Sequence, residues 1–214
     1  MTASSAVDRD PRRVLRVGIL GGTFNPPHVG HIALAQSARE QLGLDRVLLM
    51  PANVAPNKPA SPEDPGAGHR LRMCELATAS VPGVRACARE VERGGVSYTV
   101  DTLEAIDEED DAELTLILGA DTARTLSSWR EPERLLALAR VAVAERDGLD
   151  VSSVRVALGE LGKPAKIQAL SMQKIDVSSS LVRERVASGL SVEGLVGEDV
   201  ARYITANHLY VRGE

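Results

Sequence analysis

Apolar positions along the chain follow two different periods. Short runs rich in β-branched and other apolar residues read as strands: VLRVGIL (14–20), ended by Gly21-Gly22, RVLLMP (46–51), ended by a proline, VRACARE (84–90), LTLILG (114–119), RVAVAER (140–146) and KIQALSM (166–172). LTLILG is the clearest core strand of the six. Helical spacing appears from about Gly30 to Gly43, in HRLRMCELATAS (69–80) and in SYTVDTLEAIDEE (97–109). Short helices are expected around the last two strands, and SSSLVRERVASG (178–189) and GEDVARYITANHLY (197–210) read as closing helices. ANVAPNKPASPEDPGAG (52–68) is rich in proline, glycine and alanine and reads as a long loop, a feature that in a compact domain is often functional. The acidic run 107–113 reads as a solvated face. Residues 1–13 read as a disordered tail and 14–214 as one domain, with no internal repeat and no linker.

Strands alternating with helices at this rhythm imply an α/β fold, a doubly wound parallel sheet with helices on both faces. Ligands bind such sheets at the carboxyl ends of the strands, where the strand order reverses. The stretch GILGGTFNPPHVGH (18–31) leaves the carboxyl end of the first strand and holds two of the chain's four histidines.

Composition changes this picture mainly by exclusion. The apolar fraction is 43%, the charged fraction 26% and the net charge −5, which describes an ordinary soluble protein and argues against a nonspecific nucleic-acid binder. No apolar run approaches the ~20 residues of a membrane helix, and the polar N-terminus lacks the apolar core of a signal peptide. Cys74 and Cys87 form neither a disulfide framework nor a metal spacing. A cytoplasmic protein with two reduced thiols is expected; a homo-oligomer is left open.

Glycines after a strand let the backbone approach a ligand, and the helix that follows turns its N–H groups and positive end toward an anion. His28 and His31, three residues apart at that helix start, can share one face and donate to phosphoryl oxygens. The alternative is a proline-rich turn with one histidine capping the helix and the other exposed. DVSSSLVRER reads as a second helix start with Ser178 or Ser179 as N-cap; with Arg183 it makes an anion site, or else an ordinary capped surface helix. Asp121, after LTLILGA, can accept hydrogen bonds from ribose hydroxyls or cap a helix over 122–126. Trp129, the only tryptophan, lies in the polar stretch LSSWREPE, where its face is better offered to a ligand ring than to a core. Lys58, one of four lysines, is either a solvated loop residue or a mobile point charge for a phosphate.

GGTFNPPHVGH closely resembles the signature of the nucleotidylyltransferase superfamily. RLRMCELA, VSYTVDTL, LILGADTARTLSSW, DVSSSLVRERV and VARYITANHLY, in that order, narrow the resemblance to the bacterial nicotinate-mononucleotide adenylyltransferases, over residues 14–212. The resemblance implies a Rossmann-like fold, and transfer of AMP from ATP to nicotinate mononucleotide with release of pyrophosphate. It implies that Gly21, Gly22, Thr23 and Phe24 form the loop under the nucleotides. His28, His31, Ser178, Ser179 and Arg183 then hold the ATP phosphates, with His28, His31 and Arg183 catalytic. Lys58, Tyr98, Thr99, Asp121 and Trp129 serve the mononucleotide, its ring stacking on Trp129. Mg²⁺ rides on the ATP phosphates without a dedicated protein ligand set. Asn25 stands where many relatives have aspartate, which rules out a metal-ligand carboxylate there; Ser180 replaces a threonine and keeps the hydroxyl. A phosphopantetheine adenylyltransferase shares the histidine motif but has no need of the Trp129 platform, and a noncatalytic nucleotide sensor has no need to keep both histidines and Arg183.

Overall fold

The computed structural model describes residues 14–56, 61–110, 112–144, 167–173 and 175–211. The expected tail, Lys58, the end of the RVAVAER run and the start of KIQALSM lie outside the described residues. Six strands, β1 (Leu15–Gly22), β2 (Arg46–Pro51), β3 (Val84–Ala86), β4 (Ala112–Gly119), β5 (Ala139–Ala144) and β6 (Ile167–Leu170), form one sheet in the order β3-β2-β1-β4-β5-β6. Every pairing is parallel. Nine helices among the described residues surround it: α1 (Val29–Leu42), α2 (Ala67–Thr78), α3 (Arg89–Arg93), α4 (Thr99–Asp110), α5 (Ala120–Ala123), α6 (Pro132–Leu138), α7 (Ser179–Ala187), α8 (Glu193–Val196) and α9 (Glu198–Ala206).

Side chains alternate across a strand, so each strand feeds two cores. Val17 and Ile19 of β1 and Leu114, Leu116 and Leu118 of β4 pack with Leu103 and Ile106 of α4 and Leu135 of α6. Leu20, Leu49 and Ile117 point to the other face and meet Leu34, Ala35 and Ala38 of α1 and Cys74 of α2. A third cluster joins Met73 of α2 to Val182, Val196, Val200 and Ile204 of the closing helices. The doubly wound architecture expected from the sequence is therefore the one observed.

Two expected boundaries move. Gly21 and Gly22 do not end β1 but continue it, paired with Met50 and Pro51 of β2. The VRACARE strand stops at Ala86; after the Cys87 N–H bonds to the Leu49 carbonyl at 2.8 Å, the chain turns into α3. Its residues REVER are good helix formers, and Glu90 and Glu92 sit in the first turn, where the helix dipole favours acid.

Gly18 lies where β1 meets the α1 side of the core. A Cβ there would come within 2.8 Å of Ile117 Cδ1 and Leu44 Cδ1 and within 3.0 Å of Val47 Cγ2. Overpacking of this kind costs about 1–3 kcal/mol, more than the ~0.5–1 kcal/mol that alanine gains over glycine inside a strand. Gly18→Ala should therefore destabilise the protein by about 1–2 kcal/mol in urea unfolding, whereas a neutral or stabilising effect would show that Leu44 and Ile117 have room to shift.

Candidate functional site

Strands β1 and β4 pair only as far as Ile19 and Leu116. Beyond that point β1 stays with β2 through Gly22, and β4 stays with β5 through Gly119. A cleft of ≈ 670 Å³ opens between the diverging ends. Gly21, Gly22, Thr23 and Phe24 line one lip and Gly119, Ala120 and Asp121 the other. The starts of α1 and α7 close its upper end with His28, His31, Ser178, Ser179 and Arg183.

The histidine rings stack on one another, with centroids 3.6 Å apart and planes at 24°. The two rings share one face as expected; His28 is also the N-cap of α1, in a capping box with His31, so the alternative holds for the cap but not for an exposed second histidine, since both are half-buried. The His28 N–H donates to His31 Nδ1 at 3.2 Å. A backbone N–H can only donate, so Nδ1 is the acceptor and the hydrogen of the neutral ring sits on Nε2. The Phe24 ring, buried and at a positive φ of 52°, meets His31 edge-on at 4.9 Å. Neighbouring glycines make room for these rings. A Cβ on Gly22 would stand 3.1–3.3 Å from the Phe24 ring, and one on Gly30 would stand 3.1 Å from His28 Nδ1 and from Val177 Cγ1. Gly21 alone of the first pair faces open space, so close approach to a ligand belongs to Gly21 and close approach to an aromatic ring to Gly22.

Beside the histidine loop, Ser178 is the N-cap of α7, its Oγ accepting from the Leu181 N–H at 3.1 Å. Ser179 instead donates its hydroxyl to the Pro26 carbonyl at 2.8 Å. Neither α1 nor α7 has an acidic residue in its first turn. Arg183 donates from Nη1 to the Asn25 carbonyl at 2.9 Å and from Nε to Glu63 at 2.6 Å, and Nη2 reaches Ser180 at 3.3 Å. Asn25 is buried, and its side-chain oxygen accepts from the Tyr210 hydroxyl at 2.7 Å. Burial pushes the Tyr210 phenol well above its usual range, which keeps it a donor.

Sequence reasoning did not single out Arg70. Only 2% exposed, it bonds the carbonyls of Thr23, Ala52 and Asn53 and the Asp64 carboxylate. Its signal was legible as a charged residue in the stripe Arg70, Met73, Cys74 that forms the buried face of α2. Glu63, Asp64 and Tyr210 carried no comparable signal.

The mononucleotide set is placed differently from the phosphate set. Asp121 is exposed at the cleft lip inside α5, whose N-cap is Gly119, so it does not cap that helix. Tyr98, Thr99 and Trp129 do not line the cleft. Trp129 is half-buried against the core on the α4 side, its indole N–H donating to Thr125 Oγ1 at 3.1 Å. The next residue, Arg130, stacks its guanidinium 4.7 Å over the Tyr98 ring, so these two segments are neighbours. Val54 at the cleft wall bridges to Val96, and the Asn53 N–H donates to Ser97 Oγ at 2.9 Å, which connects the cleft to the Tyr98 segment. Among the described residues no three His, Cys, Asp or Glu side chains cluster closely enough to hold a metal ion, and no helix is long and apolar enough to cross a membrane.

A parallel sheet with two helix starts at its switch point places the chain among the doubly wound α/β proteins, and the cytidylyltransferase-like family model matches residues 19–185. A protein of Gemmatimonas aurantiaca, named a probable nicotinate-nucleotide adenylyltransferase, is 39% identical over 197 residues, 92% of each chain. One of the same name from Bordetella pertussis is 39% identical over 199 residues, 92% of this chain and 98% of the relative. The chain thus belongs to the nicotinate-nucleotide adenylyltransferase family within the cytidylyltransferase-like proteins. Among solved structures, the Plasmodium falciparum nicotinic acid mononucleotide adenylyltransferase complexed with NaAD has the same fold, with a TM-score of 0.73 at 18% identity over 92% of this chain and 97% of that one.

The loop before α4 rests on a buried carboxylate. Glu90 accepts from the Thr102 hydroxyl at 2.7 Å, and Thr102 in turn accepts from Arg93 at 3.1 Å. Burial is the largest influence on Glu90 and raises its pKa above 4.5, against the opposing pull of Thr102, Ser97 and Arg93. An acid with a raised pKa holds its proton more tightly when folded, so this contribution to stability is full at low pH and is lost as pH rises through the raised value. Glutamine keeps an acceptor for Thr102 and cannot ionise. Urea unfolding between pH 4 and pH 8 should show Glu90→Gln gaining on wild type as pH rises; a difference that stays constant with pH would mean that Glu90 does not titrate above the ordinary carboxylate range.

Proposed function

We propose that the protein transfers the adenylyl group of ATP to nicotinate mononucleotide, forming nicotinate adenine dinucleotide and pyrophosphate. The observation that carries this reading is the convergence of two helix starts without first-turn acids, stacked His28 and His31, and Arg183 on one side of a cleft at the switch point. That arrangement suits a polyphosphate. The names of the relatives and the complex of the structural neighbour support the choice of substrates.

A 5′-phosphate oxygen of the mononucleotide attacks the α-phosphorus of ATP, the bond from that phosphorus to the bridging oxygen breaks, and pyrophosphate leaves. No covalent bond to the enzyme is required, so the protein has to position two anions and stabilise the charge that develops. In this reading His31 Nε2–H donates to the α-phosphate while His28, the α7 N–H groups and Arg183 hold the β- and γ-phosphates. Glu63 has to give up Arg183 as the triphosphate enters. Asp121 accepts from ribose hydroxyls, and Lys58 reaches the mononucleotide phosphate. Tyr98, Thr99 and Trp129 are assigned to the nicotinate ring, with selection of the acid over the amide resting on backbone N–H groups near Thr99 and Trp129. Mg²⁺, carried on the ATP phosphates, would offset phosphate charge.

A coupled assay of ATP with nicotinate mononucleotide and, separately, with nicotinamide mononucleotide tests the reading, and turnover with neither would overturn it. His31→Ala should lower kcat about a hundredfold, the ~3 kcal/mol typical of one lost transition-state donor, with a much smaller change in KM for ATP. More than half of wild-type kcat in that variant would remove His31 from the chemistry.

The ring platform makes a separate claim. Trp129→Ala should lower kcat/KM for both mononucleotides by about 1–3 kcal/mol of lost aromatic burial without changing their ratio. Unchanged kinetics would leave the indole with its packing role alone.

A further inference from the structure

We infer that Arg70 is a positioning residue for adenylyl transfer, setting the distance between the two substrate sites. The inference rests on the function proposed above and adds to it a residue at the cleft wall whose donors are given to the backbone around it.

At the carboxyl ends of β1 and β2 the ladder closes with the Ala52 N–H donating to the Gly22 carbonyl at 2.9 Å. After that bond the two chains part. One continues through Thr23 and Asn25 to the histidine pair; the other runs through Asn53 and Val54 into the 52–66 loop. Arg70 reaches from α2 into the fork between them. Nη1 donates to the Thr23 carbonyl at 2.9 Å and to the Ala52 carbonyl at 2.6 Å, Nη2 donates to the Asn53 carbonyl at 2.9 Å, and Nε donates to Asp64 Oδ1 at 3.0 Å. One nitrogen, Nη1, thus bridges the two chains.

A planar guanidinium holds its donors at fixed angles, so these carbonyls are held at a fixed separation rather than merely attracted to a charge. Asp64 fixes the plane of the group, and its Oδ1 also accepts from the Gly66 N–H at 2.9 Å, which anchors it to the start of α2. The Thr23 side of the fork carries the ATP phosphate donors. The Asn53 side leads to Lys58 and, through Val54–Val96 and Asn53–Ser97, to the Tyr98 segment assigned to the mononucleotide. Attack in line on the α-phosphorus depends on that separation, because displacement of a reactant by about 1 Å costs on the order of a hundredfold in rate. Either substrate alone can still bind its own half of the cleft.

Lysine at position 70 keeps the charge but cannot span four acceptors in one plane. Arg70→Lys should therefore lose about 10- to 100-fold in kcat, while KM for each substrate, and the separately measured Kd of a nonhydrolysable ATP analogue and of nicotinate mononucleotide, stay within about threefold. Arg70→Ala, assayed with millimolar guanidinium, should recover activity that methylammonium does not restore. Asp64→Asn, which loosens the plane of the guanidinium and leaves its charge, should lower kcat about threefold to tenfold with KM unchanged; it decides the matter if the position-70 variants do not fold. Wild-type kcat in the folded Arg70→Lys enzyme, or in Asp64→Asn where Arg70→Lys does not fold, overturns the proposal. So does a loss confined to the KM of one substrate. Failure of the wild-type enzyme to join the two substrates would instead overturn the function itself, so the two failures are told apart.

Discussion

The divergence of β1 from β4 after Ile19 and Leu116 is the constraint on which the rest depends. Two neighbouring parallel strands can stay paired only while their exits point the same way. Here the connection from β1 runs through α1 to β2 on one side, and that from β4 runs through α5 and α6 to β5 on the other. Right-handed crossovers in opposite directions along the sheet force the strand ends apart, leaving a crevice bounded by backbone rather than by long side chains. Gly21 at one edge and Gly119 at the other each face open space. His28, His31, Ser178, Ser179, Arg183 and Asp121 all line this one opening.

A crevice alone does not bind a polyanion, because the carbonyls leaving a strand repel phosphate. The first loop meets this by giving its carbonyls to donors from later in the chain: Thr23 to Arg70, Asn25 to Arg183 and Pro26 to Ser179. The same bonds tie the loop to α2 and α7, so satisfying the backbone and aligning the two helix starts are one event. Tyr210, near the far end of the described chain, fixes the Asn25 side chain within that arrangement. Arg183 also meets the Glu63 carboxylate, which is more than half exposed, so this pair contributes little to stability.

The fold was legible because its signals are local and repeated. The period of two in the strands, the period near 3.6 in α1 and α2, and the serine cap of α7 each survive without knowledge of the rest. Boundaries were less so. Gly21-Gly22 reads as a stop, yet β2 offers partners as far as Pro51, and pairing overrides the weak strand propensity of glycine. The pairing of His28 with His31 was legible for the same reason as the fold, since both lie at the start of one helix. The packing of Trp129 was not legible from its neighbours. Its polar context is a property of the sequence, while the apolar surface it packs on comes from distant strands and helices. Glu63, Asp64 and Tyr210 could not be read at all, because each acts on a partner brought near only by the tertiary fold.

Arg70 lies between these cases and explains why a charged side chain sits on the apolar stripe of α2. Burying a guanidinium is unfavourable unless its donors and its charge are all met. An apolar residue in its place would spare that cost but would strand the carbonyls of Thr23, Ala52 and Asn53 at the end of a parallel sheet, where the next strand residues no longer supply N–H groups. Lysine could answer the charge of Asp64 but not three carbonyls leaving in different directions. The residue is therefore dictated by the backbone of the fork rather than by the core around it. Paired with Asp64, the guanidinium adds no net charge beneath the first loop, and the chain as a whole carries −5. Long-range attraction does not draw two anionic substrates to such a protein. Their binding has to rest on short-range groups, the helix starts, the histidine donors and the arginines, whose effect fades within a few ångströms. A site of that kind gains selectivity for ligands that fit its geometry at the expense of rapid capture, which suits an enzyme whose chemistry consists of holding two phosphates in line.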